Sequence, residues 1–139
     1  MAWRGHAKKG ATARSVTFTF DTGMLIALER RKRPAWDAFR AIVRRGGLPV
    51  VPAVVYVEWW RGRNDSREEI LDAVVVEDMQ PMLCRAAGEA LGAVRGASLA
   101  DAVVMASAAL RGGGVVYTGD VDDLRRLQRH FPTVLVLPV

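Results

Sequence analysis

Val16-Thr17-Phe18-Thr19-Phe20-Asp21-Thr22-Gly23-Met24-Leu25-Ile26-Ala27-Leu28 is the stretch on which the fold turns. Its first five residues are β-branched or aromatic and mostly apolar, the composition of a short strand buried on both faces. Asp21 ends the run, and from Met24 the apolar Leu25, Ile26 and Leu28 predict a helix over residues 24–31, with charges gathering at its end. The same alternation recurs outward. Pro34 opens a second helix bearing Trp36, Phe39, Ile42 and Val43 at helical spacing, and Gly46-Gly47 stops it. Residues 48–51 read as a second strand. Pro52 starts a helix that runs through Val54, Val55, Val57, Glu58 and Trp59 to about Gly62. Asn64-Asp65-Ser66 then offers caps for a polar helix over 67–73.

Val74-Val75-Val76 reads as a third strand, and residues 81–94 as a helix with a broken apolar face that Gly96 ends. Ser98 caps a helix over 99–110. Gly112-Gly113-Gly114 reads as a helix stop and turn before a fourth strand at 115–117. A turn and helix over 120–130 and a strand over 133–137 complete the chain. Strands alternating with helices between tight Gly and Pro breaks predict an α/β sandwich with a mostly parallel sheet. Residues 15–139 form one predicted domain, and residues 1–14 a flexible basic arm.

A chain of 139 residues, half of them hydrophobic, is long enough to bury a core. No apolar run approaches the roughly 18 residues of a membrane span, and no signal-peptide pattern follows the basic N-terminus, so a cytoplasmic protein is expected. Cys84 is the only cysteine; it sits among Met82, Leu83, Ala86 and Ala87 and is expected to be a buried thiol. His6 and His130 have no nucleophile nearby, and no Cys/His cluster has zinc spacing, which weakens Ser/His, Cys/His and zinc chemistry. The net charge of +5 is clumped at Lys8-Lys9, Arg30-Arg31-Lys32-Arg33, Arg44-Arg45, Arg61, Arg63 and Arg125-Arg126. One such cluster reads equally well as a solvated helix face; several together favour a polyanionic partner.

Parallel α/β sheets bind ligands beyond the carboxyl ends of their strands. Asp21 follows the first predicted strand directly, and Asp120 follows the fourth by two residues. Glu58 and Asp101 lie in apolar helical surroundings without basic neighbours, where an ionised carboxylate needs a partner. Each has a structural alternative. Asp21 and Asp120 stand where helix caps stand, Ser98-x-x-Asp101 has capping-box spacing, and Glu58 suits an exposed helix edge. Four such coincidences at positions one fold brings together weigh toward a shared divalent cation. An oxygen-only donor set suits Mg²⁺ or Mn²⁺ rather than zinc. In a basic protein, such a cation has a task on phosphate esters.

These stretches resemble the PIN-domain ribonucleases, and among them the VapC-type toxins, over residues 16–139. Phe20-Asp21-Thr22-Gly23 with its Leu-Ile helix resembles the first family motif, and Val51-Pro52 through Glu58, with Arg61-Gly62 beyond, the second. Ser98 through Ala106 around Asp101 resembles the third, and Thr118-Gly119-Asp120-Val121-Asp122-Asp123 the fourth. The resemblance implies a three-layer α/β/α fold and a Mg²⁺- or Mn²⁺-dependent endoribonuclease. Asp21, Glu58, Asp101 and Asp120 would form its metal-holding catalytic centre. Thr22, Thr118 and Asp123 would support that centre, and Arg30, Arg31, Arg33 and Arg61 are expected RNA contacts. It further implies a homodimeric toxin, neutralised by a VapB-like antitoxin in a heterotetramer or larger assembly. Gly23 departs from the pattern, standing where Ser is common, and Trp59-Trp60 is bulkier than the usual continuation.

The alternative function is a PIN-like scaffold that binds RNA or protein without cutting; the complete acid set weighs against it. Asp21-Thr22-Gly23 is also the aspartic-protease tripeptide, but those enzymes are all-β and their acids act as a close dyad. A receiver-like domain would want a late lysine, and none follows Lys32. Gly112-Gly113-Gly114 lacks the Lys-Ser/Thr of a phosphate-binding loop. Trp59-Trp60 could stack bases, but its apolar helix favours packing.

Overall fold

The structure, a computed structural model, describes residues 16–61 and 68–139. The basic arm, Gly62, Arg63 and the capping triplet at 64–66 lie outside the described residues. The elements are β1 (Phe18–Phe20), α1 (Thr22–Glu29), α2 (Arg33–Arg44), β2 (Val50–Pro52), α3 (Ala53–Trp60), α4 (Glu68–Leu71) and β3 (Val75–Glu77). They continue with α5 (Pro81–Ala93), α6 (Leu99–Leu110), β4 (Gly114–Thr118), α7 (Val121–Gln128) and β5 (Val134–Pro138). The five strands form one sheet in the order β3-β2-β1-β4-β5, and every pairing is parallel. Right-handed crossovers therefore place α1 to α4 on one face and α5 to α7 on the other. This is the three-layer α/β/α architecture.

The alternation of β1 assigns its two faces. Phe18 and Phe20 point to the α1–α2 side, where Phe20 meets Phe39 of α2 at 6.1 Å between ring centroids and Tyr117 of β4 at 6.2 Å. Thr19 points the other way, to Arg111 beyond the end of α6. α6 is buried without interruption from Ala102 to Ala108. A helix apolar all round must be enclosed on every side; α6 crosses the sheet between α5 and α7. Its apolar run is interrupted only by Ser107, which donates to Glu77 at 2.5 Å.

Beyond boundary shifts of one or two residues, which move the second strand from 48–51 to 50–52, the third from 74–76 to 75–77 and the polar helix from 67–73 to 68–71, three sequence expectations change. The first helix starts at Thr22 rather than Met24, because Asp21 Oδ1 accepts the Met24 N–H at 2.8 Å and caps it. It ends at Glu29, since Arg31 has a left-handed backbone with φ 57°. Pro52 closes β2 and precedes α3 rather than beginning it. Cys84 is exposed, not buried. The inward stripe of α5 is Leu83, Ala87 and Ala90, and Cys84 lies one position, about 100°, off it. The triple glycine behaves as read. All three have positive φ (91°, 101° and 127°), and a Cβ on Gly114 would lie 2.6 Å from the Thr17 carbonyl oxygen. Trp59 is buried, and its indole N–H donates to Glu29 at 3.1 Å; Trp60 is half-buried.

Candidate acidic centre

The strand order creates the site. From β1 the chain builds outward through β2 to β3, then returns to place β4 and β5 on the other side. The crossovers diverge between β1 and β4, and it is at the carboxyl ends of strands at such a switch point that open α/β sheets place their ligand crevice. Asp21 is the first residue after β1 and Asp120 the second after β4. Thr118 ties the two ends together. Its hydroxyl, fully buried, donates to Asp21 Oδ2 at 2.5 Å and accepts the Asp120 N–H at 2.8 Å. With Oδ1 on the Met24 N–H, both Asp21 oxygens are engaged.

Two glycines allow the turns to approach this closely. A Cβ on Gly23 would lie 2.8 Å from the Gly119 nitrogen and 2.9 Å from its Cα; a Cβ on Gly119 would lie 3.2 Å from the Gly23 Cα. Glycine at position 23 thus has a steric reason in this chain: a side chain would push the β4–α7 turn away from α1.

The remaining acids arrive from two helices. Thr22, in the first turn of α1, donates to Glu58 Oε1 of α3 at 2.5 Å, and Glu58 is solvent-exposed. Asp101 lies in the first turn of α6, where its N–H is capped by the Ser98 hydroxyl at 3.1 Å. Asp120 Oδ1 caps α7 through the Asp123 N–H at 3.4 Å. The capping alternatives of the sequence are therefore realised for Asp21 and Asp120, and Glu58 is exposed as its alternative had it, while Asp21 and Asp120 also stand at the switch point.

Electrostatics link the acids. Burial pushes Asp21 up from 3.8 to about 6, against the lowering bonds from Thr118 and Met24; the charge of Asp101 adds to the rise. Asp101 is raised first by burial, and then by Asp123, Asp120 and Glu58; its contact with Ser98 works in the opposite direction. Thus Asp101 stands within electrostatic reach of Asp21, Glu58, Asp120 and Asp123. Among the described residues, the only ion pair on any of the five is Arg126–Asp123 at 3.4 Å, about half exposed. The side chains do not converge into coordination geometry: no group of three or more His, Cys, Asp or Glu close enough to hold an ion occurs among the described residues.

Arg30, Arg31 and Arg33 lie exposed at the α1–α2 corner, a helix length away from the acids. Arg61 caps α3 one turn past Glu58, with φ 42°. Sequence reading missed a second polar cluster. On the α6 side of the sheet, Arg111 donates to Glu77 at 3.1 Å, to Ser107 at 2.8 Å and to Thr19 at 2.9 Å. Burial pulls the guanidinium pKa down and Glu77 counters it. The signal available was an i, i+4 Ser/Arg pair at the end of an otherwise apolar helix. Such a pair calls for a carboxylate elsewhere.

Fold and site together define an α/β/α protein with an acidic centre at the switch point of a parallel sheet. The chain belongs to the PIN domain family, whose model matches residues 18–129. No curated relative matches it. Among solved structures, it is similar in fold to VapBC2 from Rickettsia felis bound to a promoter DNA fragment, with TM-score 0.70 and 11% identity over 88% of this chain and 98% of that one. It is likewise similar to a toxin–antitoxin complex from Klebsiella pneumoniae (TM-score 0.66, 19% identity, 86% and 96% covered). A third is DNA-bound VapBC from Salmonella typhimurium (TM-score 0.67, 14% identity, 89% and 98% covered). Among the described residues, no helix is long and apolar enough to cross a membrane.

Proposed function

We propose that this PIN-domain protein is a Mg²⁺- or Mn²⁺-dependent endoribonuclease, the toxin of a toxin–antitoxin pair. The observation that carries the reading is that Asp101 is within electrostatic reach of Asp21, Glu58 and Asp120, acids borne by separate elements at the β1–β4 switch point. Among the described residues, no basic side chain pairs with any of these four. Asp21 is buried and Asp101 half-buried, with Glu58 and Asp120 exposed beside them, and a cation would offset the repulsion and the desolvation of the inner two. The donors are all oxygen, which fits a hard divalent ion. Asp21, Asp101 and Asp120 would hold it, with Glu58 at the exposed rim. When bound, the ion polarises a phosphoryl oxygen and lowers the pKa of a water.

The chain's own groups do the rest. Thr118 and the Met24 N–H fix the rotamer of Asp21, and Thr118 also orients the turn bearing Asp120. Thr22 holds Glu58 toward the crevice. Arg61, one turn from Glu58, is placed to contact a flanking phosphate. The neighbouring solved structures are toxin–antitoxin complexes, which supports a small VapB-like antitoxin as partner; a homodimeric toxin within that assembly belongs to the same proposal. An anionic crevice accepts an Arg side chain from such a partner in bidentate fashion.

Purified protein free of partner is expected to cleave RNA with Mn²⁺ or Mg²⁺ and to stop with EDTA. Asp101→Asn is expected to abolish cleavage and keep the fold. RNA bound but uncut under both metals would assign the non-cutting scaffold instead.

A further inference from the structure

The α1–α2 corner is a concentration of positive charge. Residues 30–40 carry five cations against a single acid, Asp37, a net +4 in a chain whose total is +5. Carboxylates thus stand at the N-terminal end of α1 and cations past its C-terminal end. The eight residues of α1 place the two about 12 Å apart along the helix.

Within this corner the cations are ordered by an aromatic ring. The Trp36 indole N–H donates to the Leu28 carbonyl at 2.9 Å, and the ring edge packs on Phe39 at 5.4 Å. The ring is thereby fixed while half-exposed. Arg31 and Arg40 both lie over it, their guanidinium carbons 5.8 and 5.6 Å from its centroid. Planar guanidiniums stacked on an aromatic face keep their donor edges directed outward. Arg40 also stands 3.7 Å from the exposed Asp37. No ion pair is present on Arg30, Arg31, Lys32 or Arg33 among the described residues.

The backbone at this corner is costly for the residue it carries. Arg31 takes φ 57° while its N–H bonds the Leu28 carbonyl and the Lys32 N–H bonds the Ala27 carbonyl. That is a left-handed helix termination, a position that favours glycine. The chain has thirteen glycines and uses none here. An arginine held in a conformation glycine would adopt freely points to a role for its side chain.

We propose that the Arg31–Trp36–Arg40 stack, with the cations flanking it, is a docking site for the backbone of single-stranded RNA. This site would hold the strand on one side of the acidic centre. The inference rests on the ribonuclease reading for its choice of ligand. It goes beyond that reading by adding Trp36 and Arg40 and by making stacking, not charge alone, the basis of recognition. Charge complementarity selects a polyanion, and a ring-and-guanidinium platform selects one with unpaired bases.

The test uses the full chain in EDTA, so that binding is read without cleavage. The probe is a fluorescent, unstructured 20-nucleotide RNA, compared with a duplex of the same length and with a polyglutamate peptide. Arg31→Gly relieves the backbone, so it is expected to hold or raise Tm. It should nonetheless weaken single-strand binding about fivefold and reduce the log–log salt slope by ~0.7. Arg31→Lys should keep the slope and lose part of the affinity, because it retains charge without the planar stack. Trp36→Phe is expected to weaken the single strand more than the duplex.

Unchanged affinity and slope in Arg31→Gly overturns the proposal, as does equal loss for single strand and duplex in Trp36→Phe. Loss of polyglutamate binding with RNA binding intact also overturns it and gives the corner to an acidic protein partner. Failure of the nuclease reading is separately visible: the RNA would bind through this corner in EDTA and remain uncut with Mn²⁺.

Discussion

Asp21→Asn should make the metal-free protein more stable at neutral pH, even though it alters the most buried carboxylate of the proposed centre. Asp21 is 7% exposed, and its pKa rises from 3.8 to about 6, chiefly through burial. Keeping it ionised at pH 7.5 costs about 3 kcal/mol. Between pH 4 and 6 the folded chain holds a proton that the unfolded chain has released. The stability contributed by Asp21 is therefore fully present below pH 4, is lost as the pH rises through about 6, and is flat above. Asn retains an oxygen for the Met24 N–H but turns an amide toward Thr118, which weakens a bond of about 1 kcal/mol. The net gain at pH 7.5 is about 2 kcal/mol, or roughly 6 °C in Tm. At pH 4, where Asp21 is already neutral, only the loss of about 1 kcal/mol remains. The assay is thermal and urea unfolding of both proteins in EDTA at pH 7.5, 6, 5 and 4. Acids remote from Asp21 titrate equally in both, and Asp101, relieved of the Asp21 charge, changes in the same direction as the predicted gain. The reasoning is refuted if the variant is less stable by a constant amount across this range. That result would mean that the ionised carboxylate is favourable where it stands and acts as a cap alone.

Three further outcomes follow from the same geometry. Mn²⁺ should raise Tm more at pH 7.5 than at pH 5, where a proton on Asp21 competes with it; an equal rise at both pH values would place the ion elsewhere. Gly23→Ala puts a Cβ 2.8 Å from the Gly119 nitrogen and should cost about 1–3 kcal/mol while weakening Mn²⁺ binding in calorimetry. Unchanged binding would show that the contact does not set the acid spacing. Arg111→Met leaves Glu77 half-enclosed without its cation and should cost about 3 kcal/mol in urea unfolding. Adding Glu77→Gln should recover part of that loss, and a strictly additive double variant would deny the coupling.

The parts of the fold that the sequence made legible are those where one periodicity dominates. The apolar runs at 18–20, 74–76 and 134–137, bounded by Gly, Pro and acids, have few other stable placements than a parallel sheet. The acids stood out because Glu58 and Asp101 interrupt apolar helices, and Asp21 and Asp120 follow strands. The cap is realised for Asp21, and the proposed site role does not exclude it. Asp21 uses one oxygen to cap α1 and gives the other to Thr118. Elsewhere the phase was ambiguous. In α5 almost every position is small or apolar, so composition could not choose Leu83, Ala87 and Ala90 over Cys84. Met82, two-thirds exposed, shows the same degeneracy. Glu77 and Arg111 lie 34 positions apart, and the Gly23–Gly119 contact spans nearly the whole domain. Such pairings depend on sheet order, which local pattern does not carry.

The central claim is that the carboxylates around Asp21 act together as a cation-dependent RNA-cleaving centre. It is tested most directly by following a defined single-stranded RNA with partner-free protein in Mn²⁺, in Mg²⁺ and in EDTA, beside Asp101→Asn prepared identically. The expected result is cleavage by the unaltered chain in at least one metal and none in EDTA. Asp101→Asn should not cleave in either metal, although it binds RNA and melts as a folded protein. Cleavage that persists under full chelation, or at an equal rate in Asp101→Asn, would contradict the account.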